Sequence, residues 1–185
     1  MATVNLVTVG KPAAGMISVA PLGTALPTDA STALPSEYES LGFISEDGVT
    51  NNNSPDSDTI KDWEGKVVYT VQNEKSDTWS CKFIEAMNTS VLKVIYGEDN
   101  VTETNGVTEV KANADEPVAH VYVIDEIFNG DVPHRTVIPH GVVTEIGDIT
   151  HANGEVLGFE TTIQALPDDD GYTHYEYTGT TTTTT

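Results

Sequence analysis

The stretch Ser76–Gly97, SDTWSCKFIEAMNTSVLKVIYG, decides the fold. In its first half Trp79, Cys81 and Phe83 alternate with Ser80 and Lys82. A period of two puts one face of a β-strand in a core and leaves the other outside. In the second half the period changes: Val91, Val94 and Ile95 fall on one helical face, with Leu92 and Tyr96 beside it. Asn88 or Thr89 can cap the start of that helix and Gly97 can end it. A strand running into a short amphipathic helix predicts a mainly β protein with one helix, at about 88–97, on its flank.

Working outward from this stretch, the pattern stays β. Upstream, KVVYTVQ (Lys66–Gln72) places Val67, Tyr69 and Val71 on one face, and NEKSD (Asn73–Asp77) reads as the connection to the next strand. Downstream, NVTETNGVTEVKA (Asn100–Ala112) reads as a short exposed hairpin, because Asn105-Gly106 is a type I′ turn signal. PVAHVYVIDEIF (Pro117–Phe128) is apolar on both faces, which suits a strand covered on both sides. HRTVIPHGVVTEIGDI (His134–Ile149) is interrupted by Pro139 and Gly141; Pro139 has no N–H for a ladder, so an edge or a bulge is expected there. In GEVLGFETTIQAL (Gly154–Leu166), Leu157, Phe159 and Ile163 point inward and Glu160, Thr162 and Gln164 outward. The fold class expected is an antiparallel β-sandwich or barrel, with one flanking α-helix and extended N- and C-terminal arms.

The ends and one internal segment read differently. Residues 1–36 are rich in Ala, Pro, Thr and Gly, and Pro21, Pro27 and Pro35 bias the preceding residues toward extended backbone. Their interleaved Ala, Leu and Val suit an arm laid along another surface. Leu41–Val49 supplies a short apolar run and an Asp47-Gly48 turn signal, and TNNNSPDSD (Thr50–Asp58) reads as a polar loop. The core domain is then 37–166, with that loop at about 45–62, and 167–185 forms a C-terminal arm ending in a low-complexity threonine tail expected to be disordered. No internal repeat is visible.

Composition narrows the function. The chain of 185 residues carries 29 acidic and 8 basic residues, a formal net charge of −21, with Arg135 its sole arginine. A protein that grips nucleic acid neutralises phosphates with Lys and Arg, and anionic membrane surfaces make the same demand. Both partners are excluded as tightly held ligands. No apolar run reaches the ~20 residues of a membrane-spanning helix. Met1–Ala20 does not resemble a signal peptide, since Lys11 follows the first apolar stretch and Pro12, Gly15 and Ser18 break up the rest. Folding in a cytoplasm is the expectation. The single cysteine, Cys81, can form no intrachain disulfide and reads as a small buried hydrophobe.

Catalytic and metal chemistry find little support. The chain has no nucleophile elbow, phosphate loop, dinucleotide fingerprint or zinc-protease motif. The five histidines (His120, His134, His140, His151, His174) are scattered, and nothing in their spacing makes them converge on an ion. Asp168, Asp169 and Asp170 before Gly171 lack the alternation of a calcium loop and read as a solvated turn. With 29 carboxylates available, no pair is singled out for acid–base work. Tyr172, Tyr175 and Tyr177 suit a sugar-binding stripe or a cluster packed on a neighbour equally well. No enzyme, cofactor or metal is expected.

Three segments carry a resemblance. APLGTALPTDASTALP (Ala20–Pro35), LGFISEDGVT (Leu41–Thr50) with DTIKDWEGKVV (Asp58–Val68), and the opening Ser76–Gly97 stretch are similar to major tail proteins, the tail tube proteins of long non-contractile-tailed bacteriophages (siphophages). The resemblance implies a structural virion protein that assembles in the host cytoplasm into stacked hexameric rings. Genomic DNA passes through their bore during ejection without being specifically bound. It further implies a tail terminator, a distal tail protein and a tape measure protein as partners, and no membrane. By position in the family, contacts between rings are expected from Ala20–Pro35 (Pro21, Leu22, Leu26, Pro27 and Leu34), from Ser45–Asp62 and the residues just before it (Phe43, Ile44, Glu46, Asp47, Asn52, Asp56 and Asp58), and from Asp168–Thr178 (Tyr172, Tyr175 and Tyr177). Which carboxylates face the bore is not fixed. The alternative is a secreted or virion-attached β-sandwich that binds carbohydrate or a host surface, and a carboxylate glycosidase ranks behind both.

Overall fold

The computed structural model describes residues 8–129 and 131–179, without the side chains of 14, 15, 73 and 74. The expectations for Met1–Val7 and for the last six threonines lie outside the described residues. In chain order the elements are β1 (Lys11–Pro21), β2 (Glu39–Ser40), β3 (Ile44–Lys61), β4 (Val67–Phe83), α1 (Thr89–Tyr96), β5 (Val101–Thr104), β6 (Val107–Val110), β7 (His120–Phe128), β8 (Val132–Ile146), β9 (Phe159–Ala165) and β10 (Tyr175–Thr178). Every strand pairing is antiparallel, in the order β2-β1-β7-β8-β9-β4-β3, with β10 also on β8 and β5-β6 a separate hairpin. The end strands β2 and β3 do not meet, so the described strands form no closed barrel.

One strand joins the two layers of the sandwich. The first half of β8 lies between β7 and β10, and its second half, from Gly141, pairs with β9. The switch falls where the β7–β8 register slips, between the pairs His120↔Gly141 and Tyr122↔Ile138. Pro139 and His140 together stand opposite the single residue Val121, one residue more on β8 than on β7. Pro139 therefore marks a bulge, as expected, but inside the sheet and not at its edge. Bulged strands that change sheets are how such corners are built. A Cβ on Gly141 would stand 2.6 Å from the Tyr122 ring, so only glycine lets the bend close.

The core follows from parity. Ile17, Val19, Tyr122, Ile124 and Ile138 point from β1, β7 and β8 toward Trp79, Cys81, Phe83, Phe159 and Ile163 of β4 and β9, and α1 adds Val91, Leu92, Val94 and Ile95. Burial pushes the Cys81 thiol up to about 12, so it packs as a hydrophobe. The opposite face of β1-β7-β8 (Ala20, Val121, Val123, Val137) is covered by Leu26, Leu34 and Tyr38 on one side and Tyr175 and Tyr177 on the other. That second cover explains why β7 is apolar on both faces. The helix is capped as its sequence implies: Asn88 Oδ1 accepts from the Ser90 N–H at 3.0 Å, and the Gly97 N–H donates to the Lys93 carbonyl at 2.8 Å. Asn105 and Gly106 both take positive φ, as a type I′ turn requires.

Three expectations about local structure need correction. Thr50–Asp58 is not a loop but the middle of β3, an 18-residue strand paired with β4 along its length. Asn, Ser and Asp favour loops by bonding their own backbone, and a continuous partner strand outcompetes that preference. Asn73–Asp77 makes no connection, because β4 runs unbroken through it. The hairpin turn lies instead at Asp62–Lys66. Part of the N-terminal segment is a strand as well: Lys11–Pro21 is β1, paired with β7 and β2, and only the residues after it run across the outer face.

Candidate assembly surface

The β3–β4 hairpin outgrows the body that carries it. Each strand, at 18 and 17 residues, is far longer than the usual ~3–10. From Thr78 onward β4 is backed by β9. Beyond that, every described residue from Asn51 to Gln72 is exposed. The cross-strand register puts Ile60 beside Tyr69 and Asp58 beside Val71, so Ile60, Tyr69 and Val71 form an apolar stripe on one face. Val67 and Val68 are exposed near the tip. The tip is well built: Asp62 Oδ1 accepts the Glu64 and Lys66 N–H groups at 2.9 Å, the Gly65 N–H reaches the Asp62 carbonyl at 3.0 Å, and Gly65 takes φ +85°. That turn holds Trp63 fully out in solvent, at 104% relative exposure.

The hairpin leaves the body through a polar anchor. The Asp77 carboxylate is buried and accepts from Asn51 Nδ2 at 2.8 Å and Thr173 Oγ1 at 2.6 Å, with His174 Nδ1 also at 2.6 Å. Burial raises the acid's pKa, but the hydrogen bonds from Thr173, His174 and Asn51 outweigh it, and the net direction is down. His174 also packs edge-on to Trp79, with ring centroids 5.4 Å apart. One carboxylate thus ties β3, β4 and the segment before β10 together where support for the hairpin ends.

Beside the hairpin's root lies a groove of about 610 Å³ between β1 and the start of β3. It opens where two ladders break. β1 loses register against β7 between Pro12 and Ile17, and β3 loses register against β4 between Ile44 and Val49. Pro12, Ala13, Met16, Phe43, Ile44 and Val49 supply apolar lining, while Glu46, Asp47 and Glu126 place carboxylates around it. Phe43 stands 70% exposed, positioned by Gly42, whose φ of +72° is a conformation that residues with side chains rarely adopt. The Glu85 carboxylate in turn accepts the Phe43 N–H at 2.9 Å.

The expected contact residues separate into three places. Phe43, Ile44, Glu46 and Asp47 gather at the groove, and Asn52, Asp56 and Asp58 lie along exposed β3. Leu26, Leu34, Tyr175 and Tyr177, from opposite ends of the chain, converge on the outer face of β1-β7-β8, half-buried there. Pro27 lies half-buried in the same segment, whereas Pro21 at the end of β1, Leu22 after it, and Tyr172 are exposed. Arg135 fixes the N-terminal cover: it pairs with Asp125 at 2.6 Å and donates to the Asp29 and Thr32 carbonyls at 3.1 and 2.9 Å. The Asp168 turn forms too. Its carboxylate accepts from the Tyr175 hydroxyl at 2.6 Å and from two backbone N–H groups, and is held below the usual range first by Tyr175. Among the described residues, no three His, Cys, Asp or Glu side chains are placed to hold a metal ion.

Sequence reasoning missed Ile60, Trp63, Val67, Val68 and Tyr69 as surface residues. The available signal was Asp62-Trp63-Glu64-Gly65, a turn sequence with acid first and glycine fourth.

A family model described as phage tail tube protein matches residues 2–184. No curated protein matches the chain. No described helix is long and apolar enough to cross a membrane.

Proposed function

Since this chain belongs to the phage tail tube protein family, a structural family of the virion tail whose members self-assemble into a tube with other tail proteins, we propose that it closes into hexameric rings that stack around a bore for DNA ejection. The observation that carries this is the β3–β4 hairpin. An isolated two-stranded ribbon is marginal in water, and this one exposes Ile60, Trp63, Val67, Val68 and Tyr69 while, among the described residues, no strand pairs with the outer edge of β3. Apolar patches and unpaired edges of that extent mark association sites. In the assembled tube, neighbouring copies complete the sheet at β3. A contact of this kind, repeated about an axis between unlike surfaces, closes a ring, and stacking of rings is open-ended.

The acid excess suits such a bore. Two like charges about 4 Å apart repel by roughly 1 kcal/mol even in water. Carboxylates along the lumen therefore keep phosphates from sticking, while the chain offers only 8 cations in all. Assembly takes place in the host cytoplasm, with a tail terminator, a distal tail protein and a tape measure protein as the other components. Negative-stain microscopy of the purified protein over a concentration series tests the proposal. Six-fold rings or tubes of uniform bore are the expected result. A chain that stays monomeric at millimolar concentration, alone and beside its tail partners, would overturn it.

A further inference from the structure

We propose that Asn153 is a site of spontaneous modification, losing its side-chain amide to attack by the backbone nitrogen of Gly154 and becoming aspartate or isoaspartate. The proposal does not depend on the tube reading. The described residues hold two complete Asn-Gly pairs, Asn105-Gly106 and Asn153-Gly154, and a third, Asn129-Gly130, lies partly outside them. Glycine favours the reaction because it has no Cβ to hinder the approach of its nitrogen to the asparagine Cγ. What the fold adds is a ranking. Asn105 and Gly106 are the central residues of the β5–β6 turn, at φ +54° and +75°, closed by the Thr104↔Val107 pair with three further pairs behind it. Asn153 and Gly154 lie in the connection 147–158 between β8 and β9. Both are exposed, and neither makes a hydrogen bond among the described residues. The connection is held at its ends, where the Gly147 N–H donates to the Glu160 carbonyl at 2.8 Å and Gly158 is buried beside the Phe83 carbonyl.

The chemistry needs water and nothing else. As a base takes the Gly154 N–H proton, the nitrogen attacks Asn153 Cγ, and ammonia leaves as a succinimide ring closes. Water then opens the ring. Attack at the side-chain carbonyl gives aspartate; attack at the main-chain carbonyl gives isoaspartate, whose backbone runs through the side-chain carbon. The net change is water taken up and ammonia released, with no oxidation or reduction. Ring closure requires the asparagine ψ to swing until the glycine nitrogen faces Cγ. At Asn105 that swing has to break the pair that closes the hairpin, so the reaction waits on local opening. At Asn153 it breaks no hydrogen bond among the described residues. The consequence falls on a surface. Val156 and Leu157, just beyond the pair, line a shallow apolar groove with Ile84, Ala86 and Met87. Conversion puts a new negative charge beside that groove and, in the isoaspartate product, lengthens the main chain leading to it.

The test ages the purified chain in mildly alkaline buffer and follows both pairs by peptide mapping with mass spectrometry. An isoaspartyl methyltransferase with radiolabelled S-adenosylmethionine gives a second readout. The peptide bearing Asn153 is expected to gain the mass of an amide-to-acid exchange and to accept methyl groups. Its rate should exceed that of the Asn105 peptide about tenfold, which corresponds to the hairpin turn being open about a tenth of the time. In urea, where the fold holds neither pair, the two rates are expected to converge. Asn153→Gln closes the larger ring far more slowly and is expected to lose the signal at this position with the circular dichroism unchanged. Equal rates in the folded chain, a faster Asn105, methyl acceptance at position 153 that survives Asn153→Gln, or a rate ratio that is the same in urea as in the folded chain would each overturn the inference.

Discussion

The two halves of β4 are made of similar residues and live in different worlds. Trp79, Cys81 and Phe83 alternate with polar residues and are buried against β9, β1 and α1. Tyr69 and Val71 alternate in the same way along the same strand and lie in solvent. Both halves pair with β3, so hydrogen bonding does not distinguish them. What differs is the second layer: the root has β9 beside it and a sheet over it, and among the described residues the outer half has neither. An apolar period of two therefore reports that a face is meant to be covered, and is silent on whether the cover comes from the same molecule.

The largest effect that separates the halves is a truncation in each. Phe83→Ala removes a fully buried ring from the centre of the sandwich and is expected to destabilise the monomer by about 3–5 kcal/mol in urea unfolding. Tyr69→Ala, at a side chain 64% exposed, is expected to stay within about 0.5 kcal/mol in the same measurement and to weaken assembly instead. Equal losses of monomer stability from the two substitutions would mean that the outer hairpin is already covered by its own chain, and the contrast would be gone.

A smaller effect lies at the boundary, where Asp77 holds β3, β4 and the C-terminal segment together. Asp77→Asn keeps the shape and removes the charge that strengthens the bonds from Thr173 and His174. A hydrogen bond to a charged group contributes roughly 1.5–3 kcal/mol, so a loss on the order of 2 kcal/mol at pH 7 is expected. Because the folded protein holds this carboxyl below its usual value of 3.8, the stabilisation is present above that value. It disappears as pH falls through the lower, folded one. The difference between wild type and Asp77→Asn in urea midpoint should therefore close progressively as pH falls below about 4. A gap that persists undiminished at pH 2 would show that the charge is not the source.

Much of this fold was legible because local pattern and tertiary partner agreed. The switch from period two to helical period at Asn88, the Asn105-Gly106 turn, the two-sided β7 and the bulge at Pro139 each have a local chemical cause. The outer hairpin was illegible for the opposite reason. Asn51, Asn52, Asn53, Ser54 and Pro55 carry loop chemistry, and only the 17-residue partner strand makes them β. The site suffered more: Phe43, Ile44, Glu46 and Asp47 come together through two register breaks that no local pattern announces, while Trp63 stood in a plain turn sequence. Lys11–Pro21 was hidden by its prolines and small residues, which resemble an arm until β7 is seen beside them.

The smallest expected effect is the most informative about whether the halves are separate units. Gly65 sits in the tip turn at φ +85° with open space where a Cβ would go, so Gly65→Ala meets no clash and only the backbone cost of a left-handed residue. That cost is about 1 kcal/mol. If the outer ribbon opens independently of the body, global unfolding does not feel it, because the ribbon is already lost before the core melts. The urea midpoint should then be unmoved, while amide exchange at Ile60 and Tyr69 quickens about fivefold, the factor corresponding to 1 kcal/mol. A midpoint that drops by the full amount would instead tie the ribbon to the core through the Asp77 anchor. In that case the hairpin reaches its neighbours as a preformed rigid spoke, and the ordering that makes assembly selective was completed when the monomer folded.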